Sequence, residues 1–160
     1  MIKEVTGDIL LTGAQAIAHG VAPNDHFDRG LALSLREQYP AMAKDFRHYC
    51  HTFGPKAGDV WMWGTVDHLR IFNLMTQDPA KTLNGHPGHA TMHNVNVCLH
   101  NLEKMIKEEG ITSLALPKLA TGYGQLDWNE VFPVIKKKLE NIGIPIYIYS
   151  TYVKGQKAAE

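Results

Sequence analysis

The sequence predicts an α/β fold, a sandwich of helices on a mixed sheet of six strands. Three observations point to it. Short apolar runs of strand length recur, among them Ile2–Val5, Gln15–Val21 and Ile111–Leu116. Amphipathic runs of helical length, such as His89–Glu109, separate most of them. Two further runs, Asp59–Trp63 and Leu69–Met75, are joined only by a short turn between Gly64 and His68, so one pair reads as a hairpin.

With 160 residues, the chain is long enough to bury most of its apolar surface as one domain. That domain is expected over residues 1–153, with Lys154–Glu160 as a dispensable tail. Lys plus Arg and Asp plus Glu each total 16, so the net charge is zero. That balance argues against bulk attraction to nucleic acid or an anionic membrane and leaves room only for a local patch. Cys50 and Cys98 have neither metal-ligand spacing nor the number for a disulfide framework, which fits free thiols in a reducing, cytoplasmic compartment. The chain shows no apolar run of membrane-spanning length and no signal peptide, and its opening residues read as a strand. A monomer is expected.

Ile2–Val5 is the first strand, and Asp8 follows just beyond it, where open α/β sheets collect ligands; an Asx-type turn explains it equally. Gln15–Val21 is the second strand, with His19 read as a satisfied core histidine. The loop Ala22–Gly30 then packs Asn24, Asp25, His26, Asp28 and Arg29 into six positions, a density typical of chemistry carried on a rigid scaffold. Asp28 could equally cap the next helix. Gly30–Tyr39 reads as a helix stopped by Pro40, with Leu31, Leu35 and Tyr39 on its core face. Ala41–Phe53 is a second helix, ended at Gly54-Pro55. Trp61 and Trp63 share one face of the third strand and read as core aromatics. After the fourth strand comes a long loop, Thr76–Gly88, and then the helix His89–Glu109, closed by Gly110. A helix over Trp128–Ile142 contains Pro133 in its first turns, and Ile144–Ser150 is the last strand, with Pro145 at its start.

The stretch Leu114–Trp128 organises the rest. It reads as a buried strand, a loop in which Gly122 and Gly124 bracket Tyr123, and a helix start. Glycine lets backbone N–H groups face a ligand without a Cβ in the way. Asp127 with Glu130 three residues on has the pattern of a capping box. Exposed N–H groups beside a helix N-terminus suit an anion, usually phosphate, although an ordinary strand-to-helix turn has the same spacing.

Taken in order, Thr6-Gly-Asp-Ile-Leu10, Ala18-His19, Gly30-Leu-Ala32, Leu116-Pro-Lys-Leu-Ala-Thr-Gly-Tyr-Gly124 and Trp128 resemble a macrodomain. The resemblance runs from Ile2 to Tyr149 and is nearest the branch containing terminal ADP-ribose glycohydrolases that act on glutamate or on modified DNA. It implies a three-layer α/β/α sandwich binding ADP-ribose at the strand ends. It also implies that Asp8 accepts from the adenine amino group, Ile9 offers its N–H, and Tyr149 packs on the adenine face. The loops Asp25–Leu31 (with His26, Arg29 and Gly30) and Ala120–Gly124 (with Thr121 and Gly122) would hold the diphosphate, and Tyr123 would cover the distal ribose.

The chain departs from that pattern in places. Asp25-His-Phe-Asp-Arg-Gly30 replaces a glycine-rich loop, and Ala22 stands where an asparagine is common. Gln77 and Gly124 take the positions of a lysine and an aspartate, which argues against a lysyl covalent mechanism; Lys81 could substitute only if its loop folds back. The implied function is hydrolysis at the distal ribose C1″ of an ADP-ribosylated protein or nucleic acid. Asp25 or Asp28 would position or deprotonate water, with no cofactor. The alternatives are removal of phosphate from ADP-ribose 1″-phosphate and non-catalytic ADP-ribose binding. One metal-like pattern exists, His86, His89 and His93, but no carboxylate or cysteine nearby completes it.

Overall fold

The computed structural model describes all residues, 1–160. Six strands form one sheet: β1 (Ile2–Gly7), β2 (Ala16–Val21), β3 (Val60–Gly64), β4 (Arg70–Met75), β5 (Leu114–Pro117) and β6 (Ile146–Tyr152). Their spatial order is β1-β6-β5-β2-β4-β3. Every neighbouring pair is parallel except the β3–β4 hairpin. The helices are α1 (Gly30–Gln38), α2 (Pro40–Phe53), α3 (Met92–Glu109) and α4 (Trp128–Leu139), with a short 3-10 turn at Ile9–Leu11.

The period-two alternation of the strands builds three layers. Ala16, Ala18, Phe72, Leu74, Leu116 and Ile148 face α3 and α4, whose Val95, Leu99, Leu102, Val131 and Ile135 close that core. On the other face, Val21, Ile71 and Met75 meet Leu35, Met42 and Phe46 of α1 and α2. Trp61 and Trp63 join this second core as expected, and the Trp63 indole N–H donates to Asp45. The α3 stripe and its Gly110 stop are also as expected, with Gly110 at φ 63° accommodating the left-handed cap.

Several boundaries move: α3 begins at Met92 rather than His89, and β5 at Leu114 rather than Ile111. Helix α4 continues through Pro133 but ends at Leu139 rather than Ile142. Strand β6 runs from Ile146 to Tyr152, two residues later than expected, because Pro145 contributes only its carbonyl, to Leu114 N–H. The register between β1 and β6 shifts between Val5 and Thr6. Tyr149 therefore lies inside the strand rather than at its end.

Residues 154–160, expected to be a dispensable tail, are tied back onto β1 and the turn after it. Asp8 N–H donates to the Gln156 carbonyl, and Gly155 N–H donates to Asp8 Oδ2 at 2.9 Å. The Glu160 carboxylate accepts from Gly13 N–H and from the hydroxyls of Thr12 and Tyr149.

Candidate functional site

Because β2, β4, β5 and β6 are mutually parallel, the loops that follow them gather at one edge of the sheet. There they enclose a cleft of about 380 Å³. Of the residues singled out in the sequence, Asp25, Asp28, Arg29, Gly30, Leu31, Ala120, Thr121, Gly122, Tyr123, Gly124 and Tyr149 all line it. His26 does not; it lines a second, neighbouring cavity.

One wall of the cleft is the start of α1. Its N-cap, Arg29, makes no side-chain capping bond. The N–H groups of Gly30, Leu31 and Ala32 find no acceptor in the chain. The facing wall is the loop after β5, where the N–H groups of Gly122, Tyr123 and Gly124 are likewise unpaired. Two opposed sets of free donors, one of them at a helix N-terminus, make a cradle for a di-anion. The Arg29 guanidinium adds a full charge; it stacks on the Tyr123 ring, 4.1 Å from its centroid, and forms no ion pair. Lys118, on the rim of the same cleft, supplies a second cation.

The glycines of this loop act differently from one another. The left-handed conformations fall on Ala120 (φ 65°) and Gln125 (φ 65°), not on Gly122 or Gly124. Gly124 is needed for close approach: a Cβ there would sit 2.5 Å from the Ala120 carbonyl oxygen and 2.9 Å from Ala90 Cβ. No aspartate could occupy position 124 in this packing. Gly122 faces open space. Asp127 caps α4 through Asn129 N–H at 2.9 Å, but the expected capping box does not close, since the Glu130 side chain makes no return bond.

The two carboxylates of the first loop have different surroundings. Asp25 Oδ2 and Oδ1 accept from the N–H groups of Ala22 and Phe27, both at 2.9 Å, and so pin a loop in which Asn24 and Phe27 have positive φ. Burial pushes its carboxyl above the usual range, helped by nearby Asp28 and opposed by those two hydrogen bonds and by Arg29. Asp28 is exposed to the cleft and makes no hydrogen bond or ion pair within the chain.

The floor contains groups that the sequence alone left in the core. His19 is 1 % exposed and lines the cleft. Its Nε2 lies 2.6 Å from Asn73 Oδ1, while the Asn73 amide donates to the Trp61 carbonyl. Asn73 therefore accepts from His19, which places the imidazole proton on Nε2 and leaves a lone pair on Nδ1. That Nδ1 and the Thr76 hydroxyl are buried without partners. Burial pulls His19 down to about 4 against the Asn73 hydrogen bond, so the ring is neutral near pH 7.

At the far end the residues expected around the adenine have other surroundings. Asp8 and Ile9 do not line the cleft. Both Asp8 oxygens accept backbone N–H groups, from Leu10 at 3.0 Å and Gly155 at 2.9 Å, which is the Asx-type turn that the sequence also allowed. Ile9 is buried. Tyr149 is only 5 % exposed and donates its hydroxyl to Glu160. Tyr152, which the sequence reading missed by ending the strand too early, is 60 % exposed and lines the cleft, so it is the ring with a free face.

The lysine question also resolves geometrically. Gln77 donates its amide to the Gly88 carbonyl at 3.0 Å. Lys81 does not fold back into the cleft but lines the neighbouring cavity. His86, His89 and His93 do not assemble, and no group of three or more His, Cys, Asp or Glu side chains is arranged to hold a metal ion. No helix is long and apolar enough to cross a membrane.

Comparison with known proteins agrees with this fold. The chain is 28% identical over 153 residues to a DNA ADP-ribosyl glycohydrolase of Thermus aquaticus, covering 93% of this chain and 41% of that protein. It is 26% identical over 137 residues to a protein of the same name from Mycobacterium tuberculosis, covering 82% and 36%. The chain thus spans about two fifths of the length of the curated relatives it matches. Among solved structures, the macrodomain of Thermus aquaticus DarG superposes with a TM-score of 0.81 at 25% identity, over 94% of this chain and 98% of that one. The macrodomain of Mycobacterium tuberculosis DarG gives 0.83 at 23% identity, over 95% and 97%. Thermosipho africanus DarTG in complex with ADP-ribose gives 0.80 at 21% identity, over 98% of this chain and 42% of that one. The Macro domain profile matches residues 28–135, which contain the first-loop helix, the hairpin, the long loop and the glycine loop. By that match, carried over most of its length, the chain belongs to the Macro domain family.

Proposed function

We propose that this chain is an ADP-ribosyl glycohydrolase that releases ADP-ribose from modified nucleic acid by cleavage at the distal ribose C1″. The observation that carries the reading is the pair of opposed, unpartnered N–H sets at Gly30–Ala32 and Gly122–Gly124, with Arg29 between them. A diphosphate satisfies both sets at once. The naming of relatives as DNA ADP-ribosyl glycohydrolases supports the activity and the class of acceptor.

With the diphosphate in this cradle, we place the adenosine toward Tyr152 and the distal ribose toward Asp25, Asp28 and Gln77, all of which line the cleft. The unpaired Thr76 hydroxyl and His19 Nδ1 give the floor a donor and an acceptor for a ribose hydroxyl or an ordered water. Asp28, the carboxylate free of other bonds, orients a water on C1″ and accepts its proton as the C1″–acceptor bond breaks. The bonding electrons leave with the acceptor, which takes a proton from solvent. Orientation and base assistance of this kind contribute roughly 10²- to 10⁴-fold. Asp25 braces the loop that carries Asp28.

A second reading, ADP-ribose binding without chemistry, draws on Asp25 being occupied by Ala22 and Phe27. One experiment separates the readings: calorimetric titration with ADP-ribose, then incubation with a modified oligonucleotide, a modified peptide and ADP-ribose 1″-phosphate. Release of ADP-ribose from the oligonucleotide is expected. Binding without turnover of any substrate would establish the second reading, and turnover of the 1″-phosphate alone would make the chain a phosphatase.

A further inference from the structure

Beside the cleft lies a larger cavity of about 570 Å³, within the size range of small-molecule sites. The two cavities share Asp25, Asp28 and Pro87 as walls. The second therefore opens at the end of the cleft where the distal ribose, and hence the acceptor, must emerge. The inference rests on that placement of ADP-ribose.

We infer that this second cavity is the acceptor site, and that it takes the nucleotide carrying the ADP-ribose together with a flanking phosphate. Its lining is unlike that of the cleft. Arg47 and His51 stand one turn apart on α2, so they share a face, and Lys81 joins them from the loop after β4. Neither Arg47 nor Lys81 makes an ion pair; the ion pairs of the chain are both within α3. The only carboxylates of this cavity, Asp25 and Asp28, are those it shares with the cleft, so the rest of its lining carries cations and no acid. Between them, Pro79, Pro87 and Leu83, the last 89 % exposed, provide apolar surface against which a base can lie.

These features favour a nucleotide over a protein side chain. A nucleotide in a strand presents a flat base and phosphates on both sides, needing apolar surface and at least two cations together. An amino-acid acceptor brings no phosphate and leaves Arg47 and Lys81 without a role. The attraction is confined to this patch, so the site reads one or two nucleotides rather than an extended duplex.

The test uses Arg47→Ala, Lys81→Ala and the double variant, all exposed positions, with Lys104→Ala on the distant α3 as a control. Release of ADP-ribose is measured from a modified single-stranded oligonucleotide and from a modified peptide, alongside ADP-ribose affinity. Each single change is expected to lower kcat/KM for the oligonucleotide about tenfold, as for loss of a charged hydrogen bond. It should also flatten the logarithmic salt dependence by about 0.7 per residue. ADP-ribose affinity and peptide turnover should stay within about twofold, a change of about 0.4 kcal/mol. Wild-type kcat/KM and salt slope in the double variant would overturn the assignment, as would an equal loss with the peptide. Fluorescence anisotropy with the unmodified oligonucleotide keeps the test independent of catalysis. If the wild type turns over no substrate, the function reading fails, yet weaker oligonucleotide binding by the double variant would still support the cavity. Equal binding by wild type and double variant would overturn it.

Discussion

The Arg29 guanidinium lies 4.1 Å from the centroid of the Tyr123 ring, and the contact spans the cleft between the α1 N-terminus and the glycine loop. It holds a cation in the cleft that the unpaired N–H groups line, without neutralising it. An Asp partner would have weakened the same charge. Arg29→Ala should weaken ADP-ribose binding about tenfold or more, from the loss of a charged hydrogen bond. Tyr123→Ala should cost less, about 0.5–1 kcal/mol, the size of an exposed cation–π contact. Calorimetry at two salt concentrations checks both, and the Arg29→Ala effect should shrink as salt rises.

Gly124 and Gly122 give a matched pair. Gly124→Ala forces a Cβ to within 2.5 Å of the Ala120 carbonyl oxygen, while at Gly122 nothing lies within 4 Å. Gly124→Ala should destabilise the fold by about 1–3 kcal/mol, as overpacking does, and abolish ADP-ribose binding. Gly122→Ala should leave the melting temperature unchanged. Thermal denaturation of the two variants side by side decides it.

The two first-loop aspartates should not behave alike. Asp25→Ala strips the acceptor from the N–H groups of Ala22 and Phe27, both residues fully buried. About 1–3 kcal/mol is lost for each buried donor left unpaired. Its melting temperature and its ADP-ribose affinity should both fall. Asp28→Ala breaks no bond within the chain, so melting temperature and affinity should stay near the wild-type values while turnover falls.

His19 makes acid stability asymmetric. Its folded value is about 4 against an unfolded 6.5, so the unfolded chain takes up the proton first as pH falls. The contribution is fully present above pH 6.5 and is lost as pH drops toward 4, by up to about 3 kcal/mol. His19→Gln can still donate to Asn73 but does not titrate. Plots of melting temperature against pH should therefore be flatter for the variant across that window.

Much of the fold could be read from the chain because periodicity reports which face is buried. The α3 stripe, the Gly110 stop and the Trp61–Trp63 face all follow from local pattern. The structure departs from local pattern where pairing outweighs a local signal. Pro145 looked like the first residues of β6, yet the strand begins after it and extends to Tyr152, which changed the ring facing the cleft. Asp8 was equally compatible with a turn and with a ligand, and only the return of Gly155 and Gln156 shows where its bonds go. Nothing in the composition of residues 154–160 indicated that Glu160 would bond Thr12 and Tyr149. The cleft was legible as two loops, whereas the joining of Arg47 on α2 to Lys81 after β4 exists only in the folded chain.

The most direct measurement is release of ADP-ribose from a singly modified, single-stranded oligonucleotide by the wild type and by Asp28→Ala, with ADP-ribose affinity determined on the same preparations. The account predicts that the wild type restores the unmodified oligonucleotide. The variant should be slower by roughly 10²- to 10⁴-fold, the usual contribution of a positioned base, with affinity unchanged. A wild type that binds ADP-ribose yet leaves the oligonucleotide modified, or a variant as fast as the wild type, would contradict it.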